Sequence, residues 1–84
     1  MAKELFYYTA PWCQPCQTLG PTMEEIGKQI PVRKQNIDYI DPQILTEAKV
    51  RNVPTVVLVE NGQELKRFVG IKSHSQIITW LNEG

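Results

Sequence analysis

The sequence predicts an α/β fold in the order β-α-β-α-β-β-α, a four-stranded mixed sheet with three flanking helices. Three observations carry that expectation. Leu5 to Thr9 is an unbroken apolar, aromatic and β-branched run followed by an amphipathic helical repeat, the pairing that opens a β-α-β unit. Val53 to Val59 is a second such run, closed by Asn61-Gly62, a dipeptide suited to a hairpin turn. The chain has 84 residues, enough for one small core and too few for two, so residues 1–84 are expected to form a single domain.

Each element has its own signal. Leu5 to Thr9 has no polar alternation, as expected of a central strand buried on both faces. Ala10-Pro11-Trp12 interrupts it, and from Cys13 the apolar positions Leu19, Met23, Ile26 and Ile30 recur at helical spacing, with Glu24, Glu25, Lys28 and Gln29 opposite. Pro21 lies inside this helix, where a missing N–H and a crowded preceding turn predict a kink near residues 17 to 21. Pro31 to Ile37 reads as the second strand, with Val32, Lys34 and Asn36 on one face, and a right-handed crossover makes it parallel to the first. Asp41-Pro42 supplies an N-cap and an N1 proline for a short helix carrying Ile44, Leu45 and Ala48. The strand from Val53 turns at Asn61-Gly62 into an antiparallel partner over Glu64 to Val69. Ser73 and Gln76 form a capping box for a last helix with Ile77, Ile78 and Leu81 inward, stopping at Gly84.

Nine Lys and Arg balance nine Asp and Glu, leaving no basic excess to hold nucleic acid or anionic lipid. Hydrophobic residues make up 42% of the chain, yet no apolar run approaches the ~18 residues of a membrane span. Met1 to Glu4 passes straight into the first strand without the apolar stretch of a secretory signal. The expectation is a cytoplasmic monomer that binds neither nucleic acid nor membrane.

The chain holds two cysteines, Cys13 and Cys16. In a reducing compartment a pair this close reads as catalytic or metal-binding before it reads as a staple. Cys13 falls at the start of the first helix and Cys16 one turn in, and side chains three apart on a helix have Cβ atoms about 5–6 Å apart, near disulfide reach. Unpaired N–H groups and the helix dipole favour a thiolate on Cys13, making it the nucleophile. Cys16 is then the resolving thiol that attacks the mixed disulfide. A structural disulfide closing so short a loop contributes only about 2 kcal/mol. A zinc site would need two further ligands, and beyond the pair there is only His74, in the capping region of the last helix. Redox chemistry is the leading reading, with the staple and the metal site as alternatives.

Ala10-Pro11-Trp12-Cys13-Gln14-Pro15-Cys16 resembles the active-site motif of the thioredoxin family, usually Trp-Cys-Gly-Pro-Cys. Pro21, Asn36-Ile37-Asp38, Val53-Pro54-Thr55, Asn61-Gly62 and Val69-Gly70 extend the resemblance over nearly the whole chain. It implies a minimal thioredoxin fold and a dithiol-disulfide oxidoreductase that reduces protein disulfides. It also implies a thioredoxin-reductase-type electron donor, no bound cofactor beyond the redox-active disulfide Cys13–Cys16, and a cis proline at Pro54 facing that disulfide. The chain departs from the family in three ways. Gln14 replaces the usual glycine, the family's N-terminal strand and helix have no counterpart, and Tyr7 stands where thioredoxins place a buried aspartate. In its size and in Phe6-Tyr7-Tyr8-Thr9 it is similar to glutaredoxins, although Asn52-Val53-Pro54 and Val69-Gly70-Ile71-Lys72 lack their glutathione grip. The alternatives are therefore a glutaredoxin-like donor to ribonucleotide reductase and a redox-inactive binding module of the same fold.

In that fold Pro11, Trp12, Val53, Pro54, Val69, Gly70 and Ile71 would converge around the disulfide as an apolar surface for an extended substrate segment. Trp12 is assigned to this surface and Trp80, at helical spacing with Ile77 and Leu81, to the core. Gln14, Pro15, Tyr7 and Lys34 are supporting candidates. Lys34 aligns with a partly buried lysine of thioredoxins, although a solvated strand lysine is the default for its residue type. Tyr7 leaves no carboxylate beneath the disulfide to take a proton from Cys16.

Overall fold

The computed structural model describes residues 3–83. Its elements follow the expected order: β1 (Lys3–Thr9), α1 (Gln14–Ile26), β2 (Val32–Asn36), a 3-10 turn (Ile37–Tyr39), α2 (Pro42–Glu47), β3 (Thr55–Glu60), β4 (Gln63–Val69) and α3 (His74–Asn82). The sheet order is β2-β1-β3-β4, so β1 and β3 are central. β2 is parallel to β1, with Tyr7 opposite Lys34, whereas β3 is antiparallel to both β1 and β4.

The pleat divides the strand residues between two layers. Leu5 and Tyr7 of β1, Val56 and Leu58 of β3 and Phe68 of β4 form one buried cluster with Leu19, Met23 and Ile26 of α1 and Ile77 and Trp80 of α3. Each fully buried aliphatic here contributes roughly 1.5–3 kcal/mol. Trp80 meets Phe68 edge to face at 5.0 Å between ring centroids, which puts it in the core as expected. Lys66 lies over the same indole and donates to the carbonyls of Trp80 and Glu83, capping the end of α3. On the other face Phe6 stacks on Tyr8, and Arg67 crosses from β4 to donate to the carbonyls of Ala48 and Lys49 at the end of α2. Glu64 pairs with that guanidinium through both carboxylate oxygens.

The caps are where the sequence puts them. Asp41 accepts from the Gln43 N–H to start α2, and Ser73 with Gln76 forms the reciprocal capping box of α3. Asn61 and Gly62 both have positive φ, 53° and 81°, the geometry of a tight hairpin turn.

The element ends need correction. Helix α1 continues through Pro21 but stops at Ile26, with Gly27 as its C-cap residue; Ile30 lies beyond the helix and packs against the core from a loop. The second strand is Val32–Asn36, since Ile37 has already entered the 3-10 turn opened by Asn36 accepting the Asp38 N–H. The third strand starts at Thr55, not Val53: Pro54 has no N–H for the ladder, and its carbonyl instead takes the Gly70 N–H. Strands β1 and β4 begin earlier than expected, at Lys3 and Gln63. Phe6 is only half-buried, so β1 is not sealed on both faces. The stop at Gly84 and the Met1-Ala2 lead-in lie outside the described residues; α3 ends at Asn82.

Candidate active site

The turn after β1 ends at Cys13, which is not itself helical. It has extended backbone (φ −96°, ψ 112°) and serves as the N-cap of α1, with Gln14 and Pro15 opening the helix. Pro15 fits because the first-turn N–H it lacks would have had no helical partner. A polar side chain usually fills the N-cap position, and here the sulfur fills it: the Cys16 N–H donates to Cys13 Sγ at 3.3 Å. This donor favours negative charge on Cys13 and adds to the dipole of the helix behind it.

Cys13 and Cys16 are joined as a disulfide, with Cα atoms 5.2 Å apart. Cys13 is 6% exposed and Cys16 2%, so Cys13 is the outer residue of the pair. With Ala10 they form a small second core, closed by half-buried Ile37 and Val53. The Val53 carbonyl oxygen lies 3.5 Å from Cys13 Sγ, a contact in which a thiol can donate and a thiolate cannot. The Val53–Pro54 bond is cis, as the resemblance implies, and Pro54 is fully buried.

The expected substrate surface divides into two parts. Val53 touches the cysteine cluster directly, and Pro54 follows it in the chain. Gly70 joins through its N–H to the Pro54 carbonyl at 3.0 Å and has φ +95°, a conformation open to glycine. Its neighbours Val69 and Ile71 are 57% and 53% exposed. Across the turn Pro11 is exposed and Trp12 is 67% exposed, which agrees with a surface role for that indole and not with core packing. Gln14 and Pro15 are also exposed, beside the sulfurs in sequence but outside the buried cluster.

Tyr7 is 2% exposed and belongs to the main core. Its hydroxyl donates to the Cys16 carbonyl oxygen at 3.0 Å, tying the central strand to the first turn of α1. No carboxylate occupies this position, as the sequence implies, yet the phenol does more than fill volume. Lys34 follows the default for a strand lysine and not the partly buried lysine of thioredoxins with which it aligns. It is exposed and lines, with Tyr7, Glu24 and Lys28, a cleft of about 330 Å³ between α1 and β2. β2 is an edge strand, so its long side chain reaches water.

Sequence reasoning missed three residues here. Asp38 accepts the Trp12 indole N–H at 3.2 Å and fixes the ring from 26 positions away. Ile37 closes the cysteine cluster, and Gln17 donates to the Pro11 carbonyl at 3.1 Å, bracing the turn before the helix. Asn36-Ile37-Asp38 stands out as a motif, but no local pattern says what it touches. Among the described residues no group of three or more His, Cys, Asp or Glu is placed to hold a metal ion, and no helix is long and apolar enough to cross a membrane.

A family model described as Thioredoxin matches residues 2–83. The chain is 38% identical over 79 residues to a thioredoxin of Rickettsia bellii (strain RML369-C), covering 89% of this chain and 74% of that one. It is 34% identical over 80 residues to a bifunctional thioredoxin reductase/thioredoxin of Mycobacterium leprae, covering 90% of this chain and 17% of that protein. Among solved structures it is similar to a mutant thioredoxin from Halobacterium salinarum NRC-1, with a TM-score of 0.86 and 30% identity over 94% of this chain and 71% of that one.

Proposed function

The chain belongs to the thioredoxin family and is a dithiol-disulfide oxidoreductase, and from that premise we propose that Cys13 attacks protein disulfides and Cys16 resolves them. One observation carries the assignment of roles: Cys13 is the more exposed residue of the pair, and its Sγ accepts the Cys16 N–H at the start of α1.

In the reduced protein the Cys13 thiolate attacks one sulfur of a substrate disulfide. That bond breaks, a bond between Cys13 and the substrate forms, and the other substrate sulfur leaves as a thiolate that takes a proton. Cys16 then loses its proton and attacks Cys13 Sγ. The second substrate thiol departs, and the Cys13–Cys16 disulfide holds the oxidising equivalent. Two electrons have passed from the protein to the substrate.

Pro11, Trp12, Val53, Pro54, Val69, Gly70 and Ile71 form the surface on which the substrate segment lies, with exposed apolar side chains on both sides of the sulfurs. Gln14 and Pro15 shape the helix entry, and Tyr7 holds the Cys16 carbonyl. Lys34 has no part in this reading. The cycle needs no cofactor besides the cysteine pair, and the protein works as a cytoplasmic monomer. The relative that combines a thioredoxin reductase with a thioredoxin supports a reductase-type donor for this chain.

The test is insulin-disulfide reduction with thioredoxin reductase and NADPH, compared with glutathione and its reductase. Turnover with the first donor and not the second is expected. Turnover with glutathione alone would replace the reductase by a glutaredoxin-like cycle.

A further inference from the structure

Ile37 and Val53, which pack against the cysteine cluster, also line a cleft of about 240 Å³ together with Trp12, Leu45, Val50 and Asn52. Arg51 is the one charged residue among its lining residues. Of the three arginines, Arg33 is bound to Glu4 and Arg67 to Glu64. Arg51 is exposed and enters no ion pair among the described residues. Asp38, next in the chain to Ile37, accepts the Trp12 indole N–H and is not among the residues that line the cavity. A planar, permanently charged guanidinium with no ion-pair partner among the described residues therefore lines a cleft whose other walls are mostly apolar and one of whose lining residues, Val53, touches the cysteine cluster.

Resting on the protein-disulfide reading above, we propose that Arg51 makes this cleft selective for substrate segments that carry an apolar side chain and a carboxylate next to the reacting cysteine. The apolar side chain enters between Trp12 and Val53. The carboxylate meets Arg51, whose paired N–H groups match two oxygens in one plane. A lysine there would face the guanidinium as a like charge. Because the site is open to water, the preference is modest and screened by salt.

The experiment uses three synthetic peptides, identical except for Asp, Asn or Lys beside an apolar residue and a cysteine held in a mixed disulfide with a chromophoric thiol. Reduction by the full chain is followed as kcat/KM at low and high salt. A neutral small-molecule disulfide reports the reactivity of Cys13 itself. The Asp peptide is expected to react about two- to five-fold faster than the Asn peptide at low salt, with the Lys peptide slowest and the differences shrinking at high salt. Arg51→Gln should erase the order and Arg51→Glu should reverse it, both leaving the neutral disulfide unchanged. Equal rates for the three peptides, or a preference that survives Arg51→Gln, would overturn the assignment to Arg51 while leaving disulfide reduction intact. Failure of all three peptides alongside normal reduction of the small disulfide would overturn the protein-substrate reading, and the selectivity with it.

Discussion

Tyr7→Phe removes one oxygen from a residue that is 2% exposed and leaves the ring to fill the same space. What it deletes is the hydrogen bond from the phenol to the Cys16 carbonyl at 3.0 Å. A buried bond of this kind contributes a net 0.5–1.5 kcal/mol, about 1 kcal/mol at the centre of the range. The carbonyl stays within the hydrogen-bond ladder of α1, so the cost of leaving it bare is partly met, and the loss should stay near that central value. For a domain this small, about 1 kcal/mol lowers the melting temperature by roughly 4–8 °C. The bond ends on the backbone of the inner cysteine, so it need not be equally strong when the ring is closed and when it is open. The assay is therefore thermal unfolding of the oxidised and reduced forms of wild type and variant, with the reduction potential measured against glutathione. If the whole effect fell on one redox state, the potential would move by about 20 mV, on the scale of ~30 mV per 1.4 kcal/mol. Equal destabilisation of both forms would make Tyr7 a purely structural tie. Melting temperatures of both forms within 1 °C or so of wild type would refute the claim that this bond holds the helix start in place.

Three further outcomes follow from the same geometry. Cys16→Ser should accumulate mixed disulfides with substrate proteins at Cys13, and Cys13→Ser none; mass spectrometry finding adducts on Cys16 would reverse the roles. In the reduced protein iodoacetamide should label Cys13 first, with a midpoint below the ~8.5 of a free thiol, because the Cys16 N–H and the helix N-terminus favour its thiolate; equal labelling of both cysteines near pH 8.5 would remove that cause. The hydrogen bonds from Arg67 hold the Glu64 carboxyl below its ordinary value near 4.5, so the stability it adds is present above that value and is lost as pH falls through the lower folded value. Glu64 is partly exposed, so the pair is worth at most about 1 kcal/mol. Melting curves from pH 7 to 3 should fall less steeply for Glu64→Gln than for wild type, and parallel curves would show that the pair does not contribute.

The sequence alone determined the features governed by neighbours within about one turn of chain. The capping residues Asp41 and Ser73, the Asn61-Gly62 turn and the Cys-x-x-Cys pair at a helix start depend on contacts two to four residues apart, and the structure has all of them in place. The strand-helix order was equally legible, because unbroken apolar runs mark the central strands and helical apolar spacing marks the buried face of a helix. Tertiary structure decided what needs partners far apart in the chain. Strand β3 began at Thr55 and not at Val53 because Pro54 has no N–H for the ladder and its carbonyl met Gly70 from across the fold. Asp38 reached Trp12, Tyr7 reached the Cys16 carbonyl and Arg67 reached the end of α2 only once the sheet had brought them together. Lys34 was legible from its residue type: a strand lysine is solvated by default, and an edge strand beside an open cleft leaves it in water. Local spacing records which way a side chain points, whereas the partner it meets is set by packing between segments, where no short-range pattern carries the information.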